Sequence, residues 1–364
     1  MGVYATNAYG HWANVELTKD CGTIPFLLHK FYGYDAILFG QKAGEYPNQQ
    51  YIPGVRLDFL PSGENYIQYQ CEYIEANHQQ MDVLLLHGPY PMYIPLLRTY
   101  RRLRADGRVY LALDANSYWM DSIAWDTQDF RWLLNNCDVI ATSCRAMQRY
   151  LNRKWPCTVH YIPNGFYNYS RADLTVDYSQ KENTILTVGR IGSGQKNSGL
   201  LLYSFLMIAD RLPSWKVKFV GTIEPSFRSE IERLLSRYPS ASQQVEFTGP
   251  ILDRAILMSE YKKAKIFALT SVFEGGSPNV FAEALFGGCY IVTSAIDAAE
   301  DMVDDGRCGV ICHEDHLFSS TLLQIATDDE RLRTGSAHAV AYGHRSFDFC
   351  RIIRQVHYLL FGEA

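Results

Sequence analysis

Long hydrophobic runs are missing from this sequence of 364 residues. No apolar stretch approaches the roughly 20 residues that a membrane-spanning helix needs. The opening residues, MGVYATNAYGHW, also lack the charged-then-apolar pattern of a secretory signal peptide. We therefore expect a protein that stays in the cytoplasm.

An excess of positive charge is missing as well. The chain has 34 Lys and Arg against 39 Asp and Glu, which gives a net charge of −5 and a pI near 6.1. Because phosphates bind to basic surfaces, nucleic acid is excluded as the main partner. Hydrophobic residues make up 47% and charged residues 20% of the chain, a globular composition that excludes a disordered or fibrous protein.

The sequence also lacks a pattern of paired cysteines. Its nine cysteines are odd in number, scattered and mostly inside apolar runs. This pattern predicts reduced, buried thiols and not a disulfide framework. The densest group combines Cys308 and Cys312 with His313 and His316, which are zinc-ligand types. However, residues 309–312 are predicted to form a short strand, whose side chains alternate in direction, and no second ligand pair follows at finger-like spacing. We therefore expect no metal.

The chain is too long for one ordinary core and suits two domains. In its first half, short apolar runs alternate with stretches of helical apolar spacing. This alternation predicts a parallel sheet with helices on both faces. The predicted strands are 36–40, 56–60, 81–87, 108–114, 138–143 and 159–162, and the predicted helices are 21–33, 64–80, 92–105, 127–136 and 145–154.

The same alternation restarts after a turn signal at Asn164-Gly165 and a polar stretch without periodicity. We predict an α/β chain with two doubly wound, Rossmann-like domains, 1–168 and 184–346, joined by a linker, 169–183. A C-terminal segment, 347–364, is predicted to contain a helix, 347–361, that packs back on the first domain. Such sheets bind ligands beyond the carboxyl ends of their strands, so the expected site lies in a cleft between the domains.

A glycine-rich loop follows the first predicted strand of the second domain, in the sequence VGRIGSGQKN (188–197). Glycines allow the backbone to approach an anion closely, and the following helix start offers free amides. Arg190 and Lys196 could neutralise a diphosphate there, and arginine offers a planar fork that suits phosphate oxygens. The alternative is a solvated loop with two surface cations.

A second loop-helix segment reads SVFEGGSPNVFAEALFGG (271–288). Ser277 is predicted to be the N-cap, with Pro278 at the first helical position. Glu274 and Glu283 could each bind a vicinal diol, one on a sugar and one on a ribose. The alternative, two surface charges, is unattractive for Glu283, because its apolar neighbours predict burial and a buried carboxylate needs a partner.

These two segments resemble the donor-binding signature of family 4 glycosyltransferases, which have the two-domain GT-B fold. The resemblance extends to VEFTG (245–249), EDMVDDG (300–306), CDVIATS (137–143) and YIPNG (161–165). It implies a retaining, metal-independent and cofactor-free transfer of a sugar from a nucleotide-sugar to a hydroxyl on a glycan, glycolipid or protein-linked acceptor. Polysaccharide or glycoconjugate synthesis is the implied role.

The resemblance also implies roles for individual residues. Arg190 and Lys196 would hold the diphosphate and stabilise the leaving group, Glu274 would hold the sugar, and Glu283 would hold the ribose. The backbone near Pro250 and Ile251 would face the base. The implied donor site comprises Gly189, Arg190, Lys196, Pro250, Ile251, Glu274, Gly275, Gly276, Ser277, Pro278, Asn279, Val280 and Glu283, with Arg190, Lys196 and Glu274 acting in catalysis.

Three departures from the family pattern affect the sugar and acceptor side. The two glutamates are nine residues apart, one more than usual, and the extra residue falls in the Gly-Gly-Ser loop. Asp114 stands where many relatives have a histidine, and the loop around Gly10 has fewer glycines than theirs. His87, at the end of another strand, could contact the acceptor or relay a proton, or it could be a structural residue that caps the strand.

A basic amphipathic helix in the first half carries Arg98, Arg101, Arg102 and Arg104. It could touch anionic lipid at the inner face of the membrane, or it could be a packed helix with a solvated cationic face. Two other functions stay open: a nucleotide-sugar epimerase, and an inactive homologue that binds a partner transferase.

Overall fold

The computed structural model describes residues 1–7 and 10–362. The chain divides into two compact units. Unit 1 is Met1–Tyr167 together with the segment that starts at Phe349, and unit 2 is Asn168–Asp348. The predicted linker segment is part of unit 2, whose first strand starts at Glu182.

Unit 1 is built on a parallel sheet with the order β2-β3-β1-β5-β6-β7-β8, in which β4 also pairs with β3. Its strands are β1 (Gly2–Asn7), β2 (His11–Trp12), β3 (Asp35–Lys42), β4 (Arg56–Leu60), β5 (Val83–His87), β6 (Arg108–Leu113), β7 (Val139–Thr142) and β8 (Val159–Tyr161). Its first six helices are α1 (Asp20–Tyr32), α2 (Tyr66–Asn77), α3 (Tyr93–Leu103), α4 (Ser117–Ser122), α5 (Gln128–Asn135) and α6 (Arg145–Lys154).

The central strand β1 was absent from the sequence-based prediction. All six of its residues are buried, and it pairs with both β3 and β5. Its sequence, GVYATN, mixes small, polar and apolar residues. A strand that is covered on both faces need not alternate polar and apolar residues. Periodicity therefore gave no signal at the place where the sheet has its centre.

Unit 2 is built on a second parallel sheet, with the order β11-β10-β9-β12-β13-β14. Its strands are β9 (Glu182–Val188), β10 (Lys216–Val220), β11 (Val245–Gly249), β12 (Ala264–Leu269), β13 (Tyr290–Ser294) and β14 (Gly309–Cys312). Its helices are α7 (Ser198–Leu206), α8 (Arg228–Arg237), α9 (Arg254–Lys263), α10 (Asn279–Phe286), α11 (Ala299–Val303), α12 (Phe318–Ala326) and α13 (Asp329–Ser346). The strand order reverses between β9 and β12, which is the topological switch point where doubly wound sheets bind ligands.

Helix α13 was also missed by the sequence-based prediction. Small residues at Gly335, Ser336, Ala339 and Gly343 form much of its buried face. A side chain at Gly335 would overlap the ring of Tyr290, so the helix packs closely on β13. Close packing through small residues leaves a weak apolar pattern, which explains why the periodicity did not reveal this helix.

The last helix, α14 (Phe349–Phe361), is part of unit 1. The Phe349 amide donates to the Phe166 carbonyl, and Ile353 is fully buried. The His357 ring stacks on Tyr32 with 3.8 Å between ring centroids, and its Nε2 lies 2.9 Å from the Tyr34 hydroxyl. Both tyrosines follow or end α1, so α14 is held on that helix.

We expect Ile353→Ala to lower the free energy of unfolding of unit 1 by about 2–5 kcal/mol, because it leaves a cavity under α14. Tryptophan fluorescence during urea unfolding measures this, since five of the six tryptophans (Trp12, Trp119, Trp125, Trp132 and Trp155) belong to unit 1. The matched control is Arg354→Ala, an exposed position on the same helix, which should stay within about 0.5 kcal/mol. Equal effects of the two changes would contradict the docking of α14.

Candidate active site

Two loops meet at the switch point of unit 2. The first loop, residues 189–197, follows β9, and the second loop, residues 270–278, follows β12. The Val272 amide donates to the Gln195 carbonyl at 2.8 Å, and the Thr270 hydroxyl donates to the carbonyls of Lys196 and Asn197 at 3.1 and 3.0 Å. Backbone hydrogen bonds thus hold the two loops, which are about 80 residues apart in sequence, in one fixed arrangement.

The first loop depends on a close backbone approach that only glycine permits. Gly189 has φ +153° and its amide donates to the Val220 carbonyl at 3.0 Å. At the end of β10, Gly221 has φ +146°, and a side chain there would overlap the Gly189 carbonyl oxygen. The loop ends at Asn197, which adopts a left-handed conformation with φ +45° before α7.

Lys196 and Glu274 form an ion pair between the two loops. The Lys196 Nζ lies 2.5 Å from Glu274 Oε1, and the side chains are only 20% and 9% exposed. The Ser271 hydroxyl donates to the same oxygen at 2.5 Å, and Gln195 Nε2 donates to Oε2 at 3.1 Å. These donors compensate for the burial of the carboxylate, which otherwise would be costly.

Arg190 lies beside this pair and is exposed. Its Nη2 donates to Gln195 Oε1 at 2.9 Å, so Gln195 connects Arg190 to Glu274. The sequence analysis did not identify Gln195 or Ser271 as site residues. Both are ordinary polar loop residues, and only the fold reveals that their side chains join the predicted charges.

Glu283, on α10, is held by two side chains of α9. Arg254 Nη1 lies 3.0 Å from Glu283 Oε1, and the Tyr261 hydroxyl donates to Oε2 at 2.8 Å. Burial first, and then the negative charge of Glu283, raise the pKa of Tyr261 well above its ordinary value. The sequence predicted a partner for this carboxylate but could not name Arg254 or Tyr261, which precede it by 29 and 22 residues.

The second loop, between the two glutamates, turns at a glycine. Gly276 has φ +107°, a conformation that favours glycine, and Gly275 and Ser277 lie on either side of it. The prediction of Ser277 as N-cap was wrong, because the N-cap is Pro278, with an extended ψ of 133°, and α10 starts at Asn279. Asn279 and Val280 open the helix, and Glu283 lies in its second turn.

The predicted base side follows β11 at the same edge of the sheet. The Gly221 amide donates to the Gly249 carbonyl at 3.0 Å, which joins this segment to the end of β10. Pro250 is exposed and Ile251 is partly buried. Asp253 then caps α9 by accepting hydrogen bonds from the amides of Ala255 and Ile256.

The acceptor-side candidates lie in unit 1. His87 ends β5 and is buried, and neither ring nitrogen has a hydrogen-bond partner in the described part of the chain. Burial lowers the pKa of His87, and the nearby Asp20 carboxylate opposes this shift. The strand end is capped by the Tyr93 hydroxyl, which donates to the His87 carbonyl at 2.6 Å, so the imidazole itself is not the cap.

Asp114 and Gly10 are placed differently from His87. Asp114 is exposed and lines a recess of unit 1 together with Asp20, Tyr110 and Asn164. His87 is not part of the lining of this recess. Gly10 has φ +73°, while Ala8 and Tyr9 of the same loop lie outside the described residues.

The basic helix α3 has its positive charges matched by acids. Arg101 and Arg104 are only 16% exposed. The ion pairs are Arg98–Asp129 at 2.8 Å, Arg101–Asp138 at 2.6 Å, Arg102–Glu75 at 2.6 Å and Arg104–Asp82 at 2.9 Å. This pairing favours the packed-helix interpretation over a lipid-binding face. Within residues 1–7 and 10–362, no helix is both long and apolar enough to cross a membrane.

The thiols and imidazoles around β14 were the one candidate metal cluster. Cys308 and Cys312 are both buried, and the Cys308 thiol faces the Met302 carbonyl at 3.5 Å. Among the described residues, no group of three or more His, Cys, Asp or Glu could hold a metal ion.

The two loops lie in a segment that matches the model of a known protein family. The family model described as glycosyl transferases group 1 matches residues 182–328, which contain both loops and both glutamates. The chain is similar in structure to sucrose-phosphate synthase of Thermosynechococcus elongatus, with a TM-score of 0.74 and 18% identity over 99% of this chain and 98% of that one. It is also similar to Anabaena HepE in complex with UDP-glucose, with a TM-score of 0.74 and 15% identity over all of both chains. At these identities the structures establish the fold, and they confirm the predicted GT-B class with two Rossmann-like domains.

Curated relatives match part of the sequence. One is the Campylobacter jejuni GalNAc-α-(1→4)-GalNAc-α-(1→3)-diNAcBac-PP-undecaprenol α-1,4-N-acetyl-D-galactosaminyltransferase, at 30% identity over 44% of this chain and 43% of that one. Another is the phosphatidyl-myo-inositol mannosyltransferase of Mycolicibacterium smegmatis, at 24% identity over 54% of this chain and 50% of that one. The matches thus span about half the length of each relative.

We expect Gly221→Ala to destabilise unit 2 by more than about 2 kcal/mol, because the new side chain overlaps the Gly189 carbonyl at a strained φ. The thermal midpoint by circular dichroism measures this effect. Gly194→Ala is the matched control, since nothing lies within 4 Å of a side chain at that position. Equal thermal midpoints of Gly221→Ala and Gly194→Ala would contradict the close approach of the ends of β9 and β10.

Proposed function

We propose that this chain is a retaining, metal-independent glycosyltransferase that moves a sugar from a nucleotide-sugar to a hydroxyl acceptor, in the synthesis of a polysaccharide or glycoconjugate. The observation that carries the proposal is the Lys196–Glu274 ion pair, with Arg190 beside it, at the switch point of unit 2. Opposite charges there match the two parts of the donor, an anionic diphosphate and a sugar rich in hydroxyls.

Donor binding would exchange the partners of these charges. The diphosphate takes Lys196 and Arg190 as counter-ions, and the start of α10 adds free amides that favour an anion. Glu274 then loses its ammonium partner and accepts hydrogen bonds from sugar hydroxyls, while Ser271 and Gln195 continue to orient it. A carboxylate that is held by two protein donors is oriented before the sugar arrives.

The chemical step would rest on stabilisation of the leaving diphosphate. Negative charge grows on the phosphate oxygens as the bond to the sugar breaks, and Lys196 and Arg190 are positioned to neutralise it. We propose that a leaving phosphate oxygen takes the proton from the acceptor hydroxyl on the same face of the sugar. This route needs no separate base, and the two side-chain cations do the work of a divalent metal.

The nucleoside would lie along the rest of the same edge. Glu283 offers a carboxylate for the ribose diol, held by Arg254 and Tyr261. The backbone at Pro250 and Ile251 faces the base. Since the similar HepE structures contain UDP and UDP-glucose, uridine diphosphate sugars are the first donors to test.

The acceptor is proposed from the relatives and from unit 1. The names of the two sequence relatives specify undecaprenol-linked and phosphatidyl-inositol acceptors, so a lipid-linked glycan is the first acceptor class to test. His87, Asp114 and Gly10 are the residues of unit 1 assigned to the acceptor or sugar side. We propose that the transfer takes place in the cytoplasm, at the inner face of the membrane.

We expect Lys196→Ala to reduce turnover by about 10²–10³-fold, because one charge that stabilises the leaving group is lost. The assay follows release of nucleoside diphosphate after the donor has been identified by thermal stabilisation. Lys216→Ala is the matched control, since Lys216 begins β10 at the opposite end of the strand and pairs with Glu182. Near-normal turnover of Lys196→Ala in a folded protein would remove the mechanism.

We expect the product to keep the anomeric configuration of the donor and turnover to be unchanged in EDTA. Proton NMR of the new anomeric signal and an assay with chelator measure these two properties. An inverted product or loss of activity in EDTA would contradict the proposed chemistry. Incubation of the donor alone is the control, because isomerisation without an acceptor would instead indicate an epimerase.

A further inference from the structure

A buried lysine outside the described site joins the ends of two helices. Lys181 directly precedes β9 and is only 8% exposed. Its Nζ donates to backbone carbonyls. The carbonyl oxygens belong to Ala264 at 2.8 Å, Gly287 at 2.8 Å, Lys262 at 3.0 Å and Tyr261 at 3.5 Å.

Three of these contacts require the ammonium form. A protonated lysine has three N–H donors, and three carbonyls lie at 3.0 Å or closer, whereas a neutral amine would leave one of them without a donor. Burial lowers the pKa of Lys181, and the carbonyl dipoles offset that loss of hydration. The carbonyls lie at helix carboxyl ends, where a positive charge is stabilising.

The two helix ends belong to the elements that form the Glu283 cluster. Tyr261, Lys262 and Ala264 end α9 and begin β12, and Gly287 is the C-cap of α10. The Gly287 amide donates to the Glu283 carbonyl at 2.9 Å, and the Gly287 carbonyl accepts from Lys181. Gly287 therefore connects Lys181 to the backbone of Glu283.

Helices α9 and α10 also pack closely against each other at this point. A side chain at Gly287 would lie 2.5 Å from Cβ of Tyr261. The thiol of Cys289, the residue that precedes β13, donates to the Tyr261 carbonyl at 3.1 Å. Tyr261 is thus held by its backbone near Lys181 and, through its hydroxyl, holds Glu283.

We propose that Lys181 is a positioning residue that fixes Glu283 for the ribose of the nucleotide by clamping α9 to α10. The inference rests on the proposed function, because it assumes that Glu283 binds the ribose. Without the ammonium, three carbonyls lose their donor and the two helices can shift. A carboxylate that binds a diol tolerates little displacement, so the loss appears in nucleotide affinity.

The test compares nucleoside diphosphates with inorganic pyrophosphate, by calorimetry on the full chain. We expect Lys181→Met to weaken the tighter of UDP and GDP by roughly tenfold, and to leave pyrophosphate affinity within about twofold, because Arg190 and Lys196 are untouched. In turnover assays KM for the donor should rise while kcat changes little. Lys181→Gln, which keeps two N–H donors, should give an intermediate loss and serves if the methionine variant does not fold.

Two further variants separate positioning from general stability. In a Glu283→Gln background, Lys181→Met should cause no further loss of nucleotide affinity, since both changes act through one contact. Lys218→Met is the matched control, because the Lys218 side chain, which is only 11% exposed, pairs with Glu260 and Glu246 and is expected to alter stability alone.

The inference is overturned if Lys181→Met and Lys181→Gln bind the nucleotide like the wild type, if nucleotide and pyrophosphate weaken equally, or if the losses with Glu283→Gln add. A wild-type chain that binds neither nucleotides nor pyrophosphate would overturn the proposed function itself. The two failures are therefore distinguishable.

Discussion

The ion pair between Lys196 and Glu274 is the contact on which the candidate site depends. It connects a loop after β9 with a loop after β12, and these strands are neighbours only because the sheet reverses its order there. Both side chains are largely buried, so each charge needs partners that compensate for its lost hydration. The sheet topology and the electrostatics of the site therefore impose the same arrangement of the two loops.

A second carboxylate at the same edge of the sheet is also compensated by protein side chains. Glu283 is matched by Arg254 and Tyr261, as Glu274 is matched by Lys196, Ser271 and Gln195. Both carboxylates of the site thus have partners within the protein. A donor that brings both anionic and hydroxyl groups can replace these partners without leaving any charge unpaired, whereas a ligand with only one of the two can replace only some of them.

Much of unit 2 could be predicted from the sequence, because strand-helix alternation is strong there and both loops carry distinctive glycine and charge patterns. The GT-B fold followed from the same segments. The side chains that hold the predicted charges could not be predicted. Gln195, Arg254 and Tyr261 are of common residue types at unremarkable spacings, and only the packing of α9 against α10 and of one loop against the other brings them to the carboxylates. Elements that pack through small or fully buried residues, such as β1 and α13, were missed because apolar periodicity needs a contrast between two faces.

The position of α14 has a consequence for biogenesis. In sequence, unit 2 is continuous and separates two segments of unit 1, so all of it is synthesised before the helix Phe349–Phe361. During synthesis, the surface of α1 that Tyr32 and Tyr34 present to His357 has no cover. Domains generally fold as units while the chain emerges. This face of α1 would therefore remain uncovered, and accessible to chaperones, until the last helix has been synthesised.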